Sequence, residues 1–135
     1  HRHRVILECM LLKPSMVLPG KARPGRAAPD TVAESTLKVL RRTVPAAVPS
    51  INFLSGGQSP EEATANLNAM NVNFGSTAPW ALSVSYARAL QEPPLRTWAG
   101  RRENAEAAQQ AFYRRARLNG AARRGRYDPA MEAGP

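Results

Sequence analysis

Three short apolar runs, each followed by a turn and then by a helix-like stretch, constrain this chain more than any other feature. Val5-Ile6-Leu7-Glu8-Cys9-Met10-Leu11-Leu12 stops at Lys13-Pro14, Ile51-Asn52-Phe53-Leu54 stops at Ser55-Gly56-Gly57-Gln58, and Trp80 to Val84 leads into Ser85-Tyr86-Ala87-Arg88. Runs this short and this continuously apolar are the expected form of strands buried on both faces. Pro14 biases Lys13 toward extended backbone and closes the first of them.

The stretches between the runs read as helices. Pro29 suits a first helical position, Asp30 and Glu34 suit the positive N-terminus, Val32, Thr36, Val39 and Leu40 recur on one face, and Arg41 and Arg42 fall in the last turn. Leu18 to Ala28, with Pro19, Gly20, Pro24 and Gly25, is the loop before it. Ser59-Pro60-Glu61-Glu62 has the form of a capping box, followed by an apolar face of Ala63, Leu67 and Met70. A helix near Leu90 is expected to break at Pro93-Pro94. The last helix is expected from about Glu103 to Leu118, with Ala105, Ala108, Phe112 and Ala116 in line.

Strand and helix thus alternate three times, which implies a parallel sheet covered by helices, because each parallel crossover needs such a connection. An open doubly wound sheet and a fragment of a (β/α)8 barrel both satisfy this order, and periodicity does not separate them.

Composition removes other classes. One cysteine, Cys9, allows no internal disulfide, and two histidines, His1 and His3, supply no structural zinc cluster, so a reducing compartment is expected. The longest apolar run is far shorter than the ~20 residues that span a bilayer, and no signal peptide is visible, so the protein reads as soluble and cytoplasmic, with no membrane partner. The 135 residues suffice for one small domain, and a start at His1 rather than Met reads as a piece of a longer protein. The net charge of +9 raises nucleic-acid binding. Residues 96–126 concentrate it, with nine Arg against two Glu, yet Trp98, Phe112, Tyr113 and Tyr127 are not spaced as a stacking platform, so no nucleic-acid partner is expected.

Chemistry-bearing residues sit at the C-terminal ends of the three runs, where parallel α/β proteins place their sites. Lys13, ending an apolar run, would be partly desolvated and so available as a neutral amine nucleophile toward a carbonyl; an ordinary surface lysine would look the same. Ser55-Gly56-Gly57 before a helix start presents uncrowded N–H groups to an anion, as would an ordinary βα turn. Ser85 and Arg88 leave the third run together, and arginine suits bidentate phosphate contact. If the last two runs are neighbours at the end of a barrel, their loops form the phosphate site that recurs there after the seventh and eighth strands. An amine beside a phosphate cradle suggests Schiff-base chemistry on a phosphorylated ketone.

Leu11-Leu12-Lys13-Pro14-Ser15-Met16-Val17, Phe53-Leu54-Ser55-Gly56-Gly57-Gln58-Ser59, Asn66-Leu67-Asn68-Ala69-Met70-Asn71 and Pro79-Trp80-Ala81-Leu82 with Ser85-Tyr86-Ala87-Arg88-Ala89-Leu90 resemble, in order and over nearly the whole chain, class I fructose-bisphosphate aldolase. The resemblance implies an α/β fold, a (β/α)8 TIM barrel, with residues 1–135 as the C-terminal part of its single domain and the runs as strands six to eight. It implies reversible cleavage of fructose 1,6-bisphosphate to dihydroxyacetone phosphate and glyceraldehyde 3-phosphate, with no metal or organic cofactor. It assigns Lys13 as the Schiff-base lysine and Ser55, Gly56, Gly57, Ser85 and Arg88 as phosphate-binding residues. The family is commonly tetrameric. Tyr127-Asp128-Pro129-Ala130-Met131-Glu132 looks more like the ending of bacterial members, without the tyrosine-ended tail of animal and plant ones. Cys9 and Ala87 depart from the glycines usual at those positions. Three strands cannot close a barrel, so the 135-residue chain alone is expected to fold poorly and to turn over little or no substrate.

Overall fold

The computed structural model describes residues 3–20, 22 and 24–133; His1, Lys21 and Arg23 fall outside them. The elements alternate as the sequence predicts: β1 (Leu11–Leu12), α1 (Pro29–Thr43), β2 (Ser50–Phe53), α2 (Pro60–Phe74), β3 (Ala81–Val84), α3 (Arg88–Trp98) and α4 (Ala105–Ala122). The strands form one parallel sheet in the order β1-β2-β3, the partial (β/α) barrel arrangement.

Register gives the sheet two different faces. Leu12, Ile51 and Leu82 are aligned across the three strands, as are Phe53 and Val84 across two. Ile51, Phe53 and Leu82 are buried in one core with Val32, Leu37 and Leu40 of α1 and Ala63, Leu67 and Met70 of α2. Side chains alternate along a strand, so Leu11, Ser50, Asn52, Ala81 and Ser83 fall on the opposite face. Burial of the strands on both faces was expected, but only the helix-facing side is buried. Ser50 and Asn52 are half-buried and share a hydrogen bond of 2.6 Å, and Leu11 is exposed. The first apolar run is also less extended than its composition suggests. Leu7–Cys9 is a 3-10 turn, only Leu11–Leu12 pairs, and Val5 and Ile6 are about 60% exposed. As an edge strand, β1 has one ladder to hold it, and the apolar side chains before it meet water.

Local rules explain the helices that did form as read. Ser59 caps α2 by accepting from Glu62 N while Glu62 Oε2 accepts from Ser59 N, and Pro60 begins the helix. Trp80 Nε1 donates to the Pro45 carbonyl, tying the entry of β3 to the exit of α1. Three readings are corrected. Val39 is exposed, and Ala33 and Leu37 complete the inward face of α1. Pro93 and Pro94 do not break α3, which runs through both to Trp98 while packing along α4. In α4 the buried residues are Arg115, Leu118, Asn119 and Ala122, whereas Phe112 and Ala116 face outward. The alanine-rich sequence carries little phase information, so docking chose the face.

Candidate active site

The parallel register brings the ends of all three strands together. Carried one residue further, it aligns Lys13 with Asn52 and Ser83, on the face turned away from the helices. The Leu54 N–H donates to the Pro14 carbonyl at 3.0 Å and the Ser85 N–H to the Phe53 carbonyl at 2.9 Å, so the ladder continues past the strands into the loops. Lys13 is exposed. Desolvation of this amine, expected from the apolar run before it, is therefore not supplied by these three βα units.

After β2 the chain turns through Ser55, Gly56, Gly57 and Gln58, closed by the Gln58 N–H on the Ser55 carbonyl at 3.2 Å. Gly57, third in the turn, has φ +79°, the requirement of a type II turn, which is why glycine stands there. The closing bond uses the Gln58 N–H and leaves those of Gly56 and Gly57 outside it. A Cβ on Gly56 would meet Leu54 Cδ1 at 3.1 Å and lie 3.9 Å from Arg88 Nη2. The guanidinium of Arg88 is thus brought against the glycine turn from the neighbouring loop. Ser55 is buried, and its Oγ accepts from the Ala89 N–H in the first turn of α3 at 3.3 Å, which locks the two loops together. Ser85 is half-buried and Arg88 exposed. Ser55, Gly56, Gly57, Ser85 and Arg88 therefore converge, with Lys13 at the end of β1, which pairs with the strand that leads into the glycine turn.

Two supporting groups were not singled out from the sequence. Tyr86, between Ser85 and Ala87, is buried and donates its hydroxyl to the Ala63 carbonyl at 2.7 Å, anchoring the third loop on α2. Burial pushes its phenol well above the ordinary value, with Arg115 pulling slightly the other way. Behind the site lies the buried Arg115. Its Nη1 reaches both Glu132 oxygens at 2.7 Å, and its Nη2 donates to the Pro60 carbonyl at 3.0 Å and Thr64 Oγ1 at 2.6 Å. Asn119 bonds Thr64 Oγ1, and the Tyr127 hydroxyl donates to Glu132 Oε1 at 2.9 Å. The first turn of α2, directly after the glycine turn, is thereby fixed to α4 and to the final turn, Pro129–Glu132. An arginine within an Arg-rich helix gives no sequence signal of burial. The tyrosine after a strand end is a signal that could have been used.

No group of His, Cys, Asp and Glu able to hold a metal ion occurs among the described residues. The arrangement offers an amine, an N–H turn, hydroxyls and a guanidinium, a set suited to a phosphorylated carbonyl compound.

The family profile described as fructose-bisphosphate aldolase class-I matches residues 1–134. The chain belongs to the class I fructose-bisphosphate aldolases. It is 53% identical over 132 residues to fructose-bisphosphate aldolase C of Pan troglodytes, covering 98% of this chain and 36% of that one. It is 55% identical over 130 residues to the chloroplastic fructose-bisphosphate aldolase 1 of Chlamydomonas reinhardtii, covering 96% and 34%. The crystallised aldolase of Plasmodium falciparum superposes with a TM-score of 0.87 at 46% identity, covering 93% of this chain and 35% of that one. The chain thus spans about a third of the length of these aldolases. They are animal, algal and protozoan, so the aldolase family is established here and its bacterial subdivision is not.

Proposed function

We propose that residues 1–135 are the C-terminal part of a single class I aldolase barrel domain, strands six to eight, and that this 135-residue polypeptide by itself has little or no turnover. The observation that carries this reading is the coverage: aldolase identity runs from end to end of the chain, yet over only about a third of each relative. A (β/α)8 barrel takes roughly 250 residues. The resemblance puts the acids and bases that move protons on earlier strands.

Completed by those strands, Lys13 would attack the C2 carbonyl of fructose 1,6-bisphosphate, and loss of water would give a protonated imine. The C3–C4 bond would break with its electron pair passing into the imine, while the C4 hydroxyl gives up its proton and glyceraldehyde 3-phosphate leaves. Protonation at C3 and hydrolysis would release dihydroxyacetone phosphate and the free amine. The protein amine is the electron sink, so the reaction calls for no metal or organic cofactor. Ser55, Gly56, Gly57, Ser85 and Arg88 would hold phosphate and fix the ketone against Lys13. Support for these assignments is the convergence of the three strand ends and the approach of Arg88 to Gly56.

The partner proposed is a phosphorylated sugar, with the parent enzyme a homotetramer in the cytoplasm that binds neither nucleic acid nor membrane. No helix among the described residues is long and apolar enough to cross a membrane. One Arabidopsis thaliana relative is named cytosolic and the Chlamydomonas reinhardtii one chloroplastic. The ending Tyr127–Glu132 favours a bacterial-type member.

The test joins this chain to the preceding part of the Chlamydomonas reinhardtii aldolase and treats it with dihydroxyacetone phosphate and borohydride. Peptide mapping should find the label on Lys13 in the completed barrel and none in the 135-residue chain. Label on another residue, or robust cleavage by the 135-residue chain, overturns the reading.

A further inference from the structure

The glycine turn has an outer side, and one side chain holds it. Arg26, in the loop between β1 and α1, donates from Nη1 to the Gly57 carbonyl at 3.1 Å and pairs through the same nitrogen with Glu62 Oε2 at 2.8 Å. Glu62 Oε2 is also the oxygen that accepts from Ser59 N in the α2 capping box, at 2.8 Å. A cavity of about 490 Å³ opens beside this clasp, lined by Leu18, Val32, Gly57, Gln58 and Asn66 as well as by Arg26.

The geometry follows from the planarity of the peptide unit. The Gly57 carbonyl and the Gln58 N–H belong to one unit and point in opposite directions. With the carbonyl held outward by Arg26, the Gln58 N–H points inward onto Ser55 O and closes the turn. A closed type II turn fixes the unit between Gly56 and Gly57, and with it the Gly57 N–H. Two glycines in succession have the largest range of alternative conformations, so an external restraint has most effect there.

We propose that Arg26 is a positioning residue for phosphate, clasping the Ser55–Gln58 turn from outside so that the Gly56 and Gly57 N–H groups stay aimed at the ligand. This rests on the aldolase reading for the identity of the ligand. Arg26 is 69% exposed, and an exposed ion pair adds little to stability, so its effect falls on the order of the turn rather than on the fold. Both contacts use one nitrogen, so a lysine ammonium can replace them.

The experiment compares Arg26→Ala and Arg26→Lys in the completed barrel. Arg26→Ala should raise KM and the Kd of inorganic phosphate by about five- to tenfold with kcat within about twofold, and Arg26→Lys should restore both to within about twofold. Amide exchange in a peptide covering 54–59 should quicken in Arg26→Ala and nowhere else. Unchanged exchange in that peptide, or unchanged phosphate affinity, overturns the clasp whatever the turnover. An unsubstituted barrel with no label on Lys13 overturns the aldolase reading instead, and the exchange and phosphate measurements still decide the role of Arg26.

Discussion

Arg115 is buried among groups that nearly all answer its charge: both oxygens of Glu132, the Pro60 carbonyl and the Thr64 hydroxyl. Burying a guanidinium is costly unless a carboxylate and further acceptors surround it; here both Nη atoms are so met, and Nε is buried without a partner. Tyr127 joins the cluster. Its phenol is pushed well above the ordinary value of 10.0, first by burial, then by its hydrogen bond and proximity to Glu132, and Tyr86 is raised by burial. Both tyrosines therefore keep their protons in the folded state at a pH where the unfolded chain, titrating near 10, releases them. Their contribution is fully present below about pH 10 and declines as pH rises beyond it. Urea midpoints of the completed barrel should hold steady from pH 7 to about 9 and then fall, and Tyr86→Phe should lessen the fall. At this scale the candidate site was legible and its support was not. Lys13, Gly57 and Arg88 stand next to punctuation in the chain, at Pro14, a double glycine and a strand end. Arg115 stands among other arginines, and nothing in its neighbours says that Glu132, far along the chain, will meet it.

Helix ends and interiors differ in how much the chain declares. The α2 start was legible because a capping box is a local device, complete within Ser59 to Glu62. The continuity of α3 was not, since Pro93 and Pro94 remove donors and favour a break, whereas packing along α4 holds the segment helical. That helix ends on Ala99 in the left-handed region, φ 51° and ψ 26°, a conformation in which a Cβ is strained. Ala99→Gly should raise the unfolding free energy of the completed barrel by about 0.5–1 kcal/mol, read from a shift of the denaturation midpoint with unchanged slope. The α4 face was misread for a reason of the same kind. Alanines occur around much of that helix, so Leu118 and Ala122 were chosen for burial by the partner surface and not by spacing.

In the whole molecule, the sheet has a covered face and an uncovered one, with an apolar edge beside β1. Val5, Ile6 and Leu11 are about 60% exposed, an arrangement that invites association. Leu11→Thr should therefore reduce aggregation of the 135-residue chain in size-exclusion runs. If, as proposed, earlier strands complete the barrel and enclose this face, the same change should cost the completed barrel about 2–3 kcal/mol of stability by urea denaturation. An unchanged urea midpoint in the completed barrel would show that Leu11 does not meet a neighbouring unit. The sequence by itself determined the alternation of strand and helix, the capping box and the aldolase motifs, because each is written in residues close together along the chain. Only the tertiary structure decided which faces are buried, that Lys13 remains exposed with three units in place, and that Arg26 and Arg115 grip opposite sides of the segment from Gly57 to Thr64. Those outcomes depend on contacts between residues distant in the chain, where charge and apolarity alone do not name the partner.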